Sequence, residues 1–233
     1  MRFGAHVPTR GRLARAVDYA EAIGADAFQI FVSNPRSWTP PSVRRAAAAE
    51  FLEHRREAGI SEVFVHSTYL VNVASPDPEF HRRSIDVARA ELEAAAAIGA
   101  DGLVVHGGAG GAGERAAALE RAAAAVHLIA GPAEGPPVLL ELTAGGAGSV
   151  GSTIPQAAEL LQAVDHDRVG LCLDTCHLFA AGYPLDDPGR AVDPLDELRR
   201  DTPVAWHPEP APNHGFWAVL RHDDLVEIGR AHV

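Results

Sequence analysis

Four ionisable residues fall at or near the ends of short β-branched runs: His66 in EVFVHS, His106 in GLVVHG, Glu141 in PVLLELT and Asp174 in VGLCLDT. A fifth, His177, follows Asp174 by three residues inside GLCLDTCHLFAAGYPLD (170–186). Any one of them alone reads as a capping or core residue. Four successive strand ends carrying His, His, Glu and Asp read as one site. Imidazole nitrogen with carboxylate oxygen is the ligand set for zinc or manganese. A carboxylate between two metal positions can bridge ions about 3.5–4 Å apart, the spacing of two-metal hydrolysis. Cys172 and Cys176 raise a competing thiolate site, but they are the only cysteines and a second pair is missing. A strand running into Cys172 makes that residue a small buried hydrophobe.

The elements that position these residues repeat. Strand-like runs at 2–7, 27–32, 62–67, 102–107, 137–143 and 169–175 alternate with helical segments at 10–23, 41–58, 78–98, 113–130 and 155–163. The phrase AIGADAFQIFV (22–32) returns as AIGADGLVVHG (97–107), each a helix end, a glycine and a strand. Regular β-α alternation with continuously apolar strands predicts a parallel sheet covered by helices. Six such units without a Gly-x-Gly-x-x-Gly phosphate loop predict a TIM-type (β/α) barrel rather than a doubly wound nucleotide fold. His66, His106, Glu141 and Asp174 then sit at the C-terminal mouth, where barrel active sites are built, and His177 reaches it from the following loop. His6, on the first strand, reads as structural.

Composition narrows the setting. A hydrophobic content of 47% is ample for a sizeable core, and no apolar run approaches the roughly 20 residues of a membrane span. MRFGAHVPTRGR lacks the apolar stretch of a secretory signal. Two cysteines give no disulfide framework, so a reducing, cytoplasmic compartment is expected; a monomer is expected as well. The formal charge of −11 argues against a surface that coats nucleic acid generally. It leaves room for a local site, because carboxylates beneath cations count as negative in that sum. Every basic residue is arginine, as in translation from a GC-rich genome.

The run GLCLDTCHLFAAGYPLD resembles the DTCH-x-FAAGYD signature of the endonuclease IV family, the zinc-dependent apurinic/apyrimidinic endonucleases. The likeness extends through FGAHV (3–7), NPRSW (34–38), VHSTYLVNVASPD (65–77), VVHGGA (104–109) and LLELTAGG (139–146), and covers residues 1 to about 190. The resemblance implies a (β/α)8 barrel with a trinuclear zinc cluster. It implies that His66 and His106 bind the first zinc, that Glu141 bridges first and second, that Asp174 binds the second and His177 the third. On that reading Cys172 and Cys176 are packing. The implied reaction is cleavage of the phosphodiester 5′ to an abasic site in duplex DNA by a zinc-activated hydroxide, with Glu141 central to it. Arg36, Tyr69 and Leu70 match the positions that enter the damaged duplex; on their residue types alone they read equally as a loop arginine and ordinary packing.

Two departures from the family pattern stand out. The family writes ENTAG where this chain has ELTAG, so Leu142 replaces a polar side chain beside the bridging carboxylate. The family also draws further ligands from a His-x-Asn-Asp segment, an Asp-x-His pair and a final glutamate, and no such motifs follow residue 190. We therefore expect a barrel domain over 1–200, incomplete in its last units, and an atypical tail over 201–233 in which TPVAWHPEP forms a strand ending at His207. EIGRAHV (227–233) back-translates into a sequencing-library adapter followed by a stop, which predicts a frameshifted or artefactual tail on an incomplete gene product. Three functions are open at this stage. They are an abasic-site endonuclease impaired by its missing ligands, a metal-dependent sugar isomerase or epimerase of the same barrel superfamily, and a metal-binding fragment without catalysis.

Overall fold

A computed structural model describes residues 2–9, 11–131 and 135–183, together with the backbone of two short strands further on. Six β-α units come first: β1 (Gly4–His6), α1 (Ala14–Ala22), β2 (Ala27–Ile30), α2 (Arg45–Ala58), β3 (Glu62–His66), α3 (Pro78–Ala97), β4 (Gly102–His106), α4 (Arg115–Ala130), β5 (Val138–Glu141), α5 (Ile154–Val164), β6 (Val169–Cys172) and α6 (Thr175–Ala180). β7 (Val204–His207) and β8 (Phe216–Val219) follow. The first six strands form one sheet in chain order, each parallel to the next. This is the (β/α) architecture that the alternation predicts.

The sheet is parallel because every crossover is long enough to carry a helix back over one face. Its strands are mostly apolar for the same reason: β2 is buried at all four positions, Gln29 among them, with one face toward the helices and the other toward the interior. Phe28 of β2 meets Phe51 of α2 edge-on at 6.1 Å, and both are fully buried. Burying each ring stabilises the fold by about 1.5–3 kcal/mol. Helix starts are marked in the sequence. Asp77 accepts from the backbone N–H groups of Glu79 and Phe80 ahead of Pro78, and Thr153 accepts from Gln156 ahead of Pro155.

β7 and β8 depart from the repeat. They pair antiparallel as a separate ribbon, Val204 opposite Val219 and His207 opposite Phe216. Their connection, residues 208–215, is shorter than the dozen or so residues a parallel crossover needs, so a hairpin is what the chain can make there. β7 does end at His207 as expected, and it lies beside β6 while β8 lies beside β1. The expected adapter-like segment 227–233 lies outside the described residues, as does most of the tail. Among the described residues no helix is long and apolar enough to cross a membrane.

Candidate metal centre

Register alone brings three of the predicted residues to one face. His66 is aligned with Val104, Val104 and His106 lie two apart on β4, and His106 is aligned with Glu141. Since side chains alternate along a strand, all three point the same way at the C-terminal ends of neighbouring strands. The side chains meet there. Glu141 Oε2 lies 3.1 Å from His66 Nε2 and 3.4 Å from His106 Nε2. Its other oxygen, Oε1, lies 3.3 Å from His177 Nδ1, and His177 Nδ1 is 3.3 Å from Asp174 Oδ2.

Asp174 and His177 arrive differently from the reading of the sequence. β6 stops at Cys172, so Asp174 stands beyond the strand as the N-cap of α6, and its Oδ1 accepts from the His177 N–H at 2.9 Å. His177 is therefore on a helix, not on a loop. An Asp-Thr pair before a short apolar run is a capping signal, and it ends the strand earlier than the apolar pattern suggests. Cys172 is buried as expected, but Cys176 is exposed on α6, which corrects its reading as packing. Neither is in a disulfide.

The carboxylate of Glu141 is thus shared by two groups, His66–His106–Glu141 and Glu141–Asp174–His177, each with donor atoms within 4.8 Å of one another. Glu141 is 1% exposed, and burial alone would raise its pKa. The surrounding imidazoles His106, His177 and His66 reverse that and hold it well below the usual carboxylate range. Burial likewise works against the cations of His66 and His177. The hydrogen bonds and negative charge of Glu141, with Asp174 beside His177, carry both above the ordinary histidine value. His106 Nε2 and Glu141 Oε1 are buried without a hydrogen bond of normal geometry. A nitrogen lone pair and a carboxylate oxygen left so, amid His and Asp, are the donor set a zinc-like cation takes. The residues present fit such an ion.

Two of the imidazoles also bond to backbone carbonyls. His66 Nδ1 donates to the Ser67 carbonyl at 2.6 Å, which fixes the tautomer and turns Nε2 toward Glu141. His177 Nδ1, the nitrogen that faces Glu141 and Asp174, also lies 2.7 Å from the carbonyl of Leu142 and donates to it when protonated. His6 caps β1 nearby, with Nδ1 3.0 Å from Gln29 Oε1 and its ring 4.5 Å from that of Phe31. Burial lowers its pKa to about 4, so it is neutral.

A rim stands above the cluster. Tyr69 is 54% exposed although its ring packs edge-on against Phe31 at 5.2 Å and His66 at 5.9 Å. Arg36 is exposed, and Leu70 is partly buried. The two loops that carry them are joined, since the Tyr69 N–H donates to the Pro35 carbonyl at 3.1 Å.

Comparison with known proteins bears on what this mouth is. The chain matches the family described as Xylose isomerase-like TIM barrel over residues 17–218. Over 202 residues it is 39% identical to a protein named probable endonuclease 4 from Chloroflexus aggregans, covering 85% of this chain and 71% of that one. It belongs to the endonuclease IV family. The crystal structure of endonuclease IV from Thermus thermophilus superposes with a TM-score of 0.73 at 36% identity, over 84% of this chain and 71% of that one. A D-tagatose 3-epimerase-like protein shares the fold alone, at TM-score 0.62 and 21% identity over 83% of this chain and 72% of that one. The endonuclease IV relationship therefore rests on sequence as well as on fold.

Reading the sequence missed Glu91, buried on α3 beneath the rim. Its signal was present: it falls on the helical stripe Ser84, Val87, Ala88, Glu91, Ala94, Ala95, where a charged residue interrupts small buried ones.

Proposed function

We propose that this chain is a zinc-dependent apurinic/apyrimidinic endonuclease that cuts duplex DNA on the 5′ side of an abasic site. The observation that carries the reading is the placement of Glu141, whose two oxygens face two different sets of donors. His66 and His106 would hold one zinc with Glu141, and Asp174 and His177 would serve the neighbouring positions. Bound there, zinc supplies Lewis acidity and lowers the pKa of water.

The chain's own residues do the rest. Ionised Glu141 and the neutral form of its histidine partners present lone pairs to the same small volume. Asp174 holds its side of that volume while capping α6, so helix and ligand are fixed by one group. Tyr69 and Arg36 face solvent over the cluster, where they would enter the duplex at the missing base, with Leu70 behind them. Displacing a nucleotide without a base is cheap because there is no stacking to break. Tyr69 offers a flat face in its place.

We infer that His66, His106 and Glu141 together make up the first metal position. Barrel residues 1–200 carry the site, as a monomer in the cytoplasm. The sugar epimerase reading has only the fold in its favour. A duplex bearing one tetrahydrofuran abasic analogue, incubated with the chain and then with a matched undamaged duplex, tests the reading. A single nick 5′ to the lesion supports it. Zinc binding with no nick would favour the non-catalytic alternative.

A further inference from the structure

An acid sits in α3 where packing calls for none. Glu91 is 1% exposed, and alanine at that position would fill the stripe without taking a charge out of water. Its carboxylate is instead a joint between two loops. Oε2 accepts from Ser67 Oγ at 2.5 Å, and Oε1 accepts from Ser33 Oγ at 3.2 Å. The Thr68 N–H donates to both oxygens, at 3.1 and 3.3 Å. Burial raises the Glu91 pKa, against the hydrogen bonds that favour its ionised form.

The two loops are the ones that matter for the site. Ser33 lies on the segment after β2 that leads to Arg36. Ser67 and Thr68 lie between His66 and Tyr69. Further bonds lock the joint, since Thr68 Oγ1 donates to the Pro35 carbonyl at 2.5 Å and Tyr69 N–H to the same carbonyl at 3.1 Å. The Ser67 carbonyl is also what orients His66, at 2.6 Å from Nδ1. One buried carboxylate therefore stands behind a metal-facing imidazole and behind the solvent-facing rim.

We propose that Glu91 is a positioning residue that sets His66 and the Arg36–Tyr69 rim together, coupling metal affinity to recognition of the abasic site. The inference rests on the proposed endonuclease reading. With an amide in place of the carboxylate, one of the two acceptor oxygens becomes a donor, so the Ser67 and Ser33 hydroxyls and the Thr68 N–H are no longer all accepted. The loop must then shift to find another acceptor, carrying the Ser67 carbonyl and Tyr69 with it.

The test uses the full chain and two near-isosteric variants, Glu91→Gln and Thr68→Val. Zinc affinity is read by competition with a chelator, and abasic preference by the ratio of affinities for tetrahydrofuran-containing and undamaged duplex. Thermal unfolding of the metal-free chain serves as the folding control. Glu91→Gln should lose about tenfold in zinc affinity, the low end for an outer residue that orients a ligand, and should lose abasic preference with it. Thr68→Val keeps the backbone donor to Glu91 but unties Pro35, so it should lose abasic preference while retaining zinc. Glu91→Gln with both properties intact, or with only a lowered unfolding temperature, overturns the proposal. An unmutated chain without abasic preference would overturn the endonuclease reading instead, and the zinc measurement would still decide the role of Glu91 toward His66.

Discussion

His177 Nδ1 lies 2.7 Å from the backbone carbonyl of Leu142 and donates to it when protonated. Leu142 stands where the resemblance calls for a polar residue, and its hydrogen bond to the site is made by the main chain. The Leu142 side chain is 1% exposed and belongs to the core. Leu142→Ala should therefore cost about 2–5 kcal/mol of stability through the cavity it leaves. Zinc stoichiometry of the folded variant should be unchanged. Chemical denaturation with metal analysis checks both, and loss of zinc from folded Leu142→Ala would show that the side chain supports the site.

Glu141→Gln should weaken zinc binding by more than tenfold, because it replaces an ionised oxygen that faces two donor groups with an amide. Cys176→Ser should leave zinc binding unchanged, as Cys176 is exposed and outside both groups. Chelator competition on the two variants separates them. Equal losses would return the thiol to the ligand set.

Substituting Tyr69 or Arg36 by alanine should lower affinity for abasic duplex about tenfold, within the range of a lost aromatic or cationic contact to nucleic acid. Metal content should not change, since neither residue belongs to the two donor groups. Parallel loss of zinc in these variants would make the rim a structural support of His66.

The pKa of His6 gives a pH prediction with a definite sign. It is about 4 when folded, below the ordinary histidine value of about 6.5. Between those values the unfolded chain holds more protons, so stability falls as pH drops through that window and levels off below it. The full effect is about 3 kcal/mol. His66 and His177 are shifted upward and act in the opposite sense, so the comparison is a difference. In the metal-free protein, His6→Asn should lose less stability than the unmutated chain between pH 6.5 and 4. Parallel stability curves would mean that His6 is charged when folded.

Six strands and five helices were legible because their apolar runs alternate with alanine-rich amphipathic ones, and strand register then carried His66, His106 and Glu141 to one place. Asp174 and His177 were legible as residues but not as geometry. The apolar pattern runs on through Leu173, while the cap at Asp174 turns the chain into a helix that hydrophobicity does not mark. Glu91 escaped because a lone acid in an alanine-rich helix looks solvated until the period of its neighbours is laid out. The antiparallel pairing of β7 and β8 follows from the length of their connection, not from any pattern within the strands.

On the proposed reading, one cluster around Glu141 binds zinc, and cleavage of abasic DNA depends on it. The most direct measurement follows nicking of a duplex with a single abasic site by the purified chain, first as isolated, then after chelation, then after zinc is restored. One cut is expected, 5′ to the lesion, that disappears with the metal and returns with zinc in the unmutated chain but not in Glu141→Gln. Cleavage that persists after zinc is removed, or that Glu141→Gln performs as well as the unmutated chain, would contradict it.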